Sequence, residues 1–403
     1  MKYIVLLGDG MADWPLEELN GKTCLQYANT PFMDKLASLG QVGTVQTVPQ
    51  GFPPGSDVAN LSVLGYNPAL YYSGRSPLEA ASMGVELADN DVAFRCNLVT
   101  LNGQGDDAVM EDYSAGHITS DEAAELIKAV QQGLGNDGIS FYPGVSYRHL
   151  MVWHNGNSSM KCTPPHDISG KLIKDYLPEG EGSEVLIPLM KSSWHILAHT
   201  DINRKRKKKG LRQANSIWLW GQGKKPSMPR FKEKYGLEGA LISAVDLTRG
   251  LGVYAGFKIL RVSGATGYID TNYEGKAQAA LDALERVDFV YLHVEAPDEA
   301  GHNGDILTKV MAIEHFDKRI VGPIWKGLKK FKSYRLMVLP DHPTPIAIKT
   351  HTSDPVPYVI YDSTTTVTVK NIGFDESLGQ SQRAINVQEG YRLMAYFLGK
   401  EST

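Results

Sequence analysis

Three short apolar runs along the chain each end at an acidic residue. The runs occur in YIVLLGDG, FVYLHVEAPDEAGH and YRLMVLPDH, and they lead to Asp9, to Asp298 with His302, and to Asp341 with His342. Near-continuous runs of Val, Ile, Leu and Tyr are typical of strands that are buried on both faces of a parallel sheet. Such sheets bind ligands outside the carboxyl ends of their strands. We therefore expect these side chains to converge, although they are far apart in the sequence.

The segment after the first run predicts a helix, a strand and a second helix. The first helix, in TPFMDKLASLGQVG, is expected to begin near Thr30 and to end at Gly40, and the strand VGTVQTV follows it. The Pro/Gly-rich turn GFPPGS then leads into a helix in SDVANLSVLGY. Ser56 would lie at the N-terminus of that helix, where free backbone N–H groups favour anions.

The middle of the chain, from about residue 88 to residue 255, has a different pattern. We expect strands in VAFRCNLVTL, RHLMVWH and SEVLIPL, a helix in SDEAAELIKAVQQGL and a solvated loop in RKRKKKG. Strand and helix units then return, with a long helix in TKVMAIEHFDKRIVGPIWKGLKKF and a closing helix in EGYRLMAYFLG. The sequence therefore predicts an α/β fold in which helices sandwich a mostly parallel sheet formed by residues 1–85 and 255–403. A second α/β domain, residues 86–254, would be inserted into it.

Length and composition predict a soluble, two-domain protein of the cytoplasm. The 403 residues exceed what one hydrophobic core usually holds. A net charge of -4 gives no reason to expect nucleic acid as a partner, and no segment has the roughly 18 apolar residues that a membrane span requires. The apolar N-terminal stretch is too short for a signal peptide, and three scattered cysteines predict reduced thiols. The oligomeric state stays open.

The acidic and histidine residues that follow the apolar runs form a candidate metal site. The pair after the second run is spaced by four residues, so on a helical turn both side chains can hold one cation. His351 in KTHTSDP adds a further nitrogen. Each motif alone is more often a surface pair or a capped loop, but together the nitrogen and oxygen donors match Mn²⁺ or Zn²⁺ better than Ca²⁺. These ligands are too many for one catalytic ion, so we predict two ions, with Mn²⁺ favoured and Zn²⁺ or Mg²⁺ still open.

Ser56 is the candidate nucleophile of this site. A serine beside a cation loses its proton more readily, which replaces the general base of a hydrolase triad. A plain N-cap is the alternative role for this residue. The local sequence PGSDV is not a GxSxG elbow, GDGMAD lacks the third glycine of a GxGxxG fingerprint, and no GxxxxGK[ST] loop occurs. An α/β-hydrolase and the usual nucleotide-binding loops are therefore not supported.

A phosphorylated substrate would require cationic side chains in addition to the metals. The candidates lie near predicted strand ends or glycine-rich turns and are Arg75, Arg95, Arg148, Arg204, Arg206, Arg261 and Lys276. An arginine can bind phosphate through two parallel hydrogen bonds. For each candidate, a solvated surface charge is an equal alternative.

The chain resembles the cofactor-independent phosphoglycerate mutases, specifically their shorter archaeal-type branch within the alkaline phosphatase superfamily. The resemblance extends from end to end and rests on LLGDGMAD, PPGSDVANLSVLGY, SGRSPLEAASMG, TGYIDTNYEGKA, HVEAPDEAGHNGD and PDHPTP followed by KTHTSDPVP. It implies an alkaline-phosphatase-like fold. It also implies that the protein interconverts 2-phosphoglycerate and 3-phosphoglycerate, which are small phosphorylated substrates. The reaction would not require 2,3-bisphosphoglycerate as a cofactor.

The resemblance further implies a role for each site residue. One metal would be held by Asp298, His302 and His351, and the other by Asp9, Ser56, Asp341 and His342. Ser56 would be the phosphorylated nucleophile. The inserted domain would bind the glycerate, and the residues implied to contact phosphate or carboxylate are Lys276, Arg95, Arg148 and Arg261.

The chain departs from the usual archaeal-type pattern at Trp220. In ANSIWLWGQGKKP an indole stands where many of these mutases have an arginine. A homoserine kinase-like phosphotransferase or a metal-dependent phosphomonoesterase on the same core is therefore the alternative function. His166 and Asp167 are either an acid/base pair at the glycerate hydroxyls or part of a structural turn. Trp218 and Trp220 either line the substrate-facing side of the inserted domain or belong to its core.

Overall fold

The computed structural model describes residues 1–103, 105–365 and 372–400. The chain folds into two compact units. Unit 1 consists of Met1–Tyr72 with Ser227–Thr403, and unit 2 consists of Ser73–Pro226. Unit 2 is therefore one continuous insertion in the sequence of unit 1.

The strands of the described residues are β1 Lys2–Gly8, β2 Gln41–Val45, β3 Val92–Asn102, β4 Val109–Asp112, β5 Ile139–Val145, β6 Arg148–Trp153, β7 Ser216–Lys224, β8 Gly239–Ile242, β9 Lys258–Ile259, β10 Phe289–Val294, β11 Tyr334–Leu339 and β12 Val356–Asp362. The helices are α1 Cys24–Tyr27, α2 Pro31–Leu39, α3 Ser56–Val63, α4 Pro68–Tyr71, α5 Ser76–Met83, α6 Ser120–Leu134, α7 Ser183–Ala198, α8 Asp201–Lys208, α9 Phe231–Tyr235, α10 Asp246–Tyr254, α11 Tyr273–Ala283, α12 Ala296–Asn303, α13 Ile306–His315, α14 Gly322–Gly327 and α15 Leu393–Phe397. A π-helical segment, Phe316–Val321, connects α13 to α14.

The limits of unit 2 differ from the expected limits of 86 and 254. α5 packs against β3, β6 and β7, so unit 2 begins before residue 86. β8 pairs with β10 in the sheet of unit 1, so the residues after Pro226 belong to unit 1. The first and last residues of unit 2 lie close together in space. Gly223 packs so tightly against Ser73 that a Cβ atom added to it would lie only 1.8 Å from the Ser73 carbonyl oxygen.

Unit 1 is built on a sheet with the strand order β2-β12-β11-β1-β10-β8-β9. β1 is parallel to both neighbours, with Leu6 beside Leu292 of β10 and Val338 of β11. β12 is antiparallel to β11 and to β2. Ile4 and the three residues after it are fully buried, as expected for a strand that is covered on both faces. The predicted mostly parallel sheet is confirmed, and the carboxyl ends of β1, β10 and β11 lie at one edge.

The helices predicted for unit 1 also form. α2 follows β1 as expected, and the long predicted helix consists of α13, the π-helical segment and α14. The side chain of Asp317 in the π-helical segment accepts hydrogen bonds from the backbone N–H groups of Phe32 (3.2 Å) and Met33 (2.7 Å). These groups belong to the first turn of α2, where Thr30 makes no capping bond. Asp317 therefore supplies the N-terminal cap of α2 from a distant part of the chain.

Unit 2 contains an antiparallel sheet of β4, β3, β6 and β5 in that order, and β7 also pairs with β3. α6 packs on β5, and α7 packs on β7 and α6. The core between them includes Phe94, Leu126, Leu186 and Trp218, which are fully or almost fully buried. This unit therefore has a hydrophobic core of its own.

Two predictions in unit 2 were wrong. SEVLIPL begins α7 and is not a strand, because the buried residues Leu186, Met190 and Leu197 follow helical spacing over a longer window than that segment. RKRKKKG lies mostly on α8 and is not a solvated loop. Arg206 within it is buried, donating to the Glu122 carboxylate at 2.5 Å and to a backbone carbonyl at 2.8 Å. That arginine is therefore committed to the structure of unit 2.

A membrane-crossing helix would require a long apolar segment, and none of the helices in the described residues has both that length and that character.

Candidate metal centre and active site

The edge of the unit 1 sheet at the ends of β1, β10 and β11 collects the acidic residues predicted to converge. Asp9 follows β1, Asp341 and His342 follow β11, and Asp298 lies in the first turn of α12, directly after β10. Ser56, the first residue of α3, joins them, with its Oγ 3.1 Å from Nε2 of His342. All five residues are buried. The site is therefore formed by residues from both ends of the chain.

The side chain of Ser56 points to His342 and not to the helix backbone. Gly55, and not Ser56, occupies the N-cap position of α3. The N-cap alternative for Ser56 is therefore wrong. Its hydroxyl is available for chemistry, because its hydrogen-bond partner belongs to the candidate metal centre.

Asn60, one turn further along α3, fixes the position of Ser56. Its Nδ2 group donates to the Ser56 carbonyl and to Oδ2 of Asp341, both at 2.8 Å. The Tyr291 hydroxyl donates to Oδ1 of the same amide at 2.6 Å. Buried hydrogen bonds thereby connect the first turn of α3 to β10 and to the residue pair after β11, and such bonds are costly to break.

The first donor group consists of Asp9, Ser56, Asp341 and His342. Nε2 of His342 lies 3.5 Å from Oδ1 of Asp9, 3.4 Å from Oδ2 of Asp341 and 3.1 Å from Oγ of Ser56. Ligand atoms held at about 2.1 Å from one tetrahedral ion are about 3.4 Å apart. The three oxygen atoms therefore lie at the distances from Nε2 of His342 that ligands of a single cation would have.

The tautomer of His342 places a lone pair at the centre of that group. Thr344 donates its hydroxyl hydrogen to Oδ1 of Asp298 in a short hydrogen bond. Its oxygen, 3.3 Å from Nδ1 of His342, must then accept the proton of that nitrogen. Burial lowers the pKa of His342, so the ring is neutral. Nε2 is consequently unprotonated and faces oxygen atoms, which is the state that a metal ligand requires.

The second donor group consists of Asp298, His302 and His351. Nε2 of His302 lies 3.2 Å from Oδ2 of Asp298 and 2.8 Å from Nε2 of His351, and the latter nitrogen lies 3.4 Å from Oδ1 of Asp298. Asp298 and His302 are four residues apart on α12, as the sequence pattern predicts. Nδ1 of His302 donates to the Lys349 carbonyl at 3.0 Å, so Nε2 is the nitrogen that could bind a cation once it has lost its proton.

The centre contains several buried carboxylates, whose negative charges repel one another. Burial, followed by repulsion from Asp341 and Glu295, raises the pKa of Asp9 well above its usual value. The pKa of Glu295 is also raised, by burial and by Asp298. Oδ1 of Asp9 and Oε2 of Glu295 are buried without a hydrogen-bond donor within the described residues. Such oxygen atoms are unfavourable unless a proton or a cation lies next to them.

A divalent cation in each donor group meets these requirements. Ligand atoms lie within 4.8 Å of one another in two sets, Asp298 with His342 and His351, and Asp9 with His293 and Asp341. By distance alone, His342 is therefore also close to the second donor group, and His293 to the first. Mixed imidazole and carboxylate donors match Mn²⁺ or Zn²⁺ better than the all-oxygen surroundings of Ca²⁺. The residues present therefore fit divalent metal binding.

Sequence reasoning missed several residues of this centre. His293, Asn60 and Thr344 contact the predicted ligands directly, and Glu295 lies among them. A histidine inside the apolar run FVYLHV was the available signal, because a polar residue in a strand buried on both faces requires a partner. Asn60 and Thr344 gave no comparable signal.

Of the predicted substrate-binding residues in unit 1, only Lys276 lies at the centre. It is fully buried on α11, and its Nζ is 3.4 Å from the carbonyl oxygen of His293. Burial lowers its pKa to about 8, although Glu295 acts in the opposite direction. Arg261 is exposed beyond the carboxyl end of β9.

The predicted substrate-binding residues of unit 2 lie close to one another. Arg95 on β3 pairs with Glu79 at 3.1 Å, and its guanidinium lies 4.4 Å from the ring centre of Trp220 on β7. His166 contacts the edge of the same indole at 5.4 Å and lies 3.6 Å from Asp167. Arg148 lies beside β3 on the paired strand β6. Burial lowers the pKa of His166, with a smaller effect from nearby arginines.

The two indoles of WLW have different surroundings. Trp218 is fully buried and donates to the Thr163 carbonyl at 2.8 Å, so it belongs to the core of unit 2. Trp220 is 6% exposed and donates to Oδ1 of Asn97 at 3.0 Å, while its ring supports Arg95. Trp220 is therefore a largely buried support for a cationic side chain.

Comparison with known proteins places these observations in a family. A family profile described as 2,3-bisphosphoglycerate-independent phosphoglycerate mutase matches residues 37–203. The chain is 58% identical over 400 residues to a probable 2,3-bisphosphoglycerate-independent phosphoglycerate mutase of Geobacter sulfurreducens, covering 99% of this chain and 100% of that one. It is 53% identical over 395 residues to such a mutase of Methanothrix thermoacetophila, covering 98% of both chains.

Solved structures agree with this relationship. A protein of Pyrococcus horikoshii superimposes with a TM-score of 0.83 and 28% identity over 100% of this chain and 98% of that one. A cofactor-independent phosphoglycerate mutase of Thermoplasma acidophilum superimposes with a TM-score of 0.68 and 27% identity over 99% of both chains. With relatives of this similarity over nearly its full length, the chain belongs to the 2,3-bisphosphoglycerate-independent phosphoglycerate mutase family.

Proposed function

We propose that this protein interconverts 2-phosphoglycerate and 3-phosphoglycerate through a phosphoserine at Ser56, with one divalent cation in each donor group. The observation that carries the proposal is the position of Ser56 Oγ, which is buried beside Asp9, Asp341 and His342 and does not cap its helix. A nucleophile in that position can receive a phosphoryl group and return it. The naming of the relatives as mutases supports the same substrate class.

In the first step Ser56 Oγ attacks phosphorus. The bond from phosphorus to the glycerate oxygen breaks, the bond from phosphorus to Oγ forms, and the released hydroxyl takes up a proton. In the second step the other hydroxyl of the same glycerate attacks phosphorus, the bond from phosphorus to Oγ breaks, and Ser56 regains the proton that this hydroxyl loses. The proton that Ser56 Oγ loses in the first step balances the proton that the released hydroxyl takes up. Nε2 of His342, 3.1 Å from Oγ, cannot accept it, because this nitrogen would hold a cation. When bound, the cations would favour the serine alkoxide and neutralise the phosphoryl oxygens.

Anionic substrate groups require cationic partners, and the chain offers several candidates. Lys276 is a buried amine next to the centre, where its positive charge is poorly solvated and would gain from an anionic ligand. The remaining candidates for phosphate, carboxylate or hydroxyl contacts are Arg95, Arg148, Arg261, His166 and Asp167. Mn²⁺ is the proposed ion, because it accepts both imidazole and carboxylate ligands.

The decisive experiment compares Ser56→Ala with Ser62→Ala in Mn²⁺-loaded protein. Conversion of 3-phosphoglycerate to 2-phosphoglycerate would be followed in a coupled assay. Ser56→Ala is expected to reduce the rate below detection with an unchanged circular dichroism spectrum, because it removes the attacking oxygen. Ser62 is a matched control: it is fully buried on the same helix, and its Oγ has no hydrogen-bond partner within the described residues. Ser62→Ala should retain near wild-type turnover.

The same samples test the alternative reactions. If the protein is a mutase, it should form no ADP from ATP and homoserine. It should also release phosphate from 3-phosphoglycerate much more slowly than it isomerises that substrate. Wild-type turnover in Ser56→Ala would contradict the phosphoserine mechanism. Rapid phosphate release, or phosphorylation of homoserine without isomerisation, would contradict the mutase activity.

A further inference from the structure

His293 is the one histidine among the centre's contacts that no sequence pattern assigned. It lies in β10, beside Leu7 of β1, and is fully buried. Nε2 is 2.9 Å from Oδ2 of Asp9 and 3.8 Å from Oε2 of Glu295, and Nδ1 is 3.3 Å from Oγ of Ser243. Both ring nitrogens therefore have an identified partner.

The hydrogen bonds around Ser243 determine the tautomer of His293. The backbone N–H of Val245 donates to Oγ of Ser243 at 3.0 Å, so the hydroxyl hydrogen of Ser243 is free to point to Nδ1 of His293. Nδ1 is then the acceptor, and Nε2 carries the ring hydrogen. Nε2–H must donate to Asp9.

This donation fixes the Asp9 carboxylate. Oδ2 is occupied by His293, whereas Oδ1 has no hydrogen-bond partner within the described residues and lies 3.5 Å from Nε2 of His342. A carboxylate with one oxygen held by an imidazole and the other directed at the donor group is oriented for a cation before the cation arrives.

We propose that His293 is a positioning residue, which together with Ser243 holds Asp9 so that Oδ1 faces the first donor group. The inference rests on the proposed metal-binding role of Asp9. His293 also lies within reach of a cation bound by Asp9 and Asp341. Direct ligation would require Nε2 to lose its hydrogen and its bond to Asp9, so His293 acts through Asp9 and not as a ligand.

Mn²⁺ affinity, measured by chelator competition, tests the positioning role. His293→Leu removes the donor and should weaken Mn²⁺ binding by about 10- to 100-fold. His293→Gln supplies an amide N–H in place of Nε2–H and should recover part of the loss, and Ser243→Ala should give an intermediate loss. His149→Leu is the control, because His149 is also buried and accepts a backbone N–H but lies in unit 2. It should leave Mn²⁺ affinity unchanged.

Pulsed electron paramagnetic resonance of bound Mn²⁺ tests ligation, because it detects directly coordinated imidazole nitrogens. The nitrogen couplings of His293→Gln should equal those of the wild-type protein. Loss of a coupling would overturn the positioning role in favour of ligation, and wild-type affinity in both His293 variants would overturn it outright. Absence of Mn²⁺ binding by the wild-type protein would overturn both the inference and the proposed function.

Discussion

Lys309 and Asp13 form a fully buried ion pair next to the candidate centre. Nζ of Lys309 lies 2.8 Å from Oδ2 of Asp13 and also donates to the carbonyl oxygens of Ala12 (3.2 Å) and Thr344 (2.8 Å). The other oxygen of Asp13 accepts from the backbone N–H of Ile346 at 3.2 Å. A buried pair that is satisfied in this way connects the loop after β1 to the loop after β11, both of which carry proposed metal ligands.

We expect Lys309→Met to destabilise the protein by about 3–5 kcal/mol, because it leaves the Asp13 carboxylate buried without its partner. Urea unfolding monitored by circular dichroism measures the change. Lys330→Met is the matched control, since Lys330 pairs with Glu285 at 2.6 Å on the surface and should cost less than about 1 kcal/mol. Equal costs for the two variants would contradict a structural role for the buried pair.

His302 determines the expected pH dependence of metal binding. Its hydrogen bond to Asp298 raises the pKa of His302 to about 9 in the metal-free protein. Below that pH the ring holds a proton, which a metal must displace, so apparent Mn²⁺ affinity should fall about tenfold for each pH unit from about 9 downward. Chelator competition between pH 6.5 and 8.5 measures this slope. An affinity that is independent of pH in this range would exclude His302 as a ligand.

Some residues of the candidate site could be predicted from the sequence, and others could not. The three strand-end aspartates could be predicted, because an apolar run followed by an acid is visible within a few residues. Asn60 and Thr344 could not, since their partners Asp341 and Asp298 are distant in sequence and neither residue interrupts an apolar pattern. The polar supports of a site depend on which loops the fold brings together.

At the level of elements, the segments with one clear period are the ones the sequence predicts correctly. β1, β10 and β11 are buried on both faces, and α6 has its apolar residues on one face, so both patterns are unambiguous. α7 was mistaken for a strand because its first seven residues are mainly apolar, and only the spacing of Leu186, Met190 and Leu197 over the whole helix identifies it. Short apolar runs do not distinguish a strand from a buried helix.

The packing of Trp220 on β7 leads to a prediction about stability. Because the indole is 6% exposed and lies under the guanidinium of Arg95, Trp220→Arg would place two cations together in a buried position. We expect a loss of about 3–5 kcal/mol in stability. Trp220→Phe keeps an aromatic face under Arg95 and loses mainly the bond to Asn97, so it should cost less.

Thermal unfolding and the ratio of mutase to phosphatase activity would be measured for both Trp220 variants. A stable Trp220→Arg protein with an altered ratio would show that the indole faces substrate. A large loss of stability in Trp220→Arg, with a smaller one in Trp220→Phe, is the result that the packing predicts.

At the scale of the whole molecule, the proposed centre belongs to unit 1 alone. The proposed nucleophile and every residue of the two donor groups belong to unit 1, although they come from the first 56 residues and from the segment after residue 297. The change of pattern in the middle of the chain was enough to predict an insertion. Its exact limits depend on which sheet α5 and β8 join, and that choice is made by tertiary pairing and not by local sequence.

The neighbouring entry and exit of unit 2 at Ser73 and Gly223 have an evolutionary consequence. An insertion whose ends meet occupies the place of a surface loop, so it neither lengthens nor reorders the strands of its host. Such a segment can be acquired, lost or exchanged in a single genetic event that leaves unit 1 and its proposed nucleophile intact.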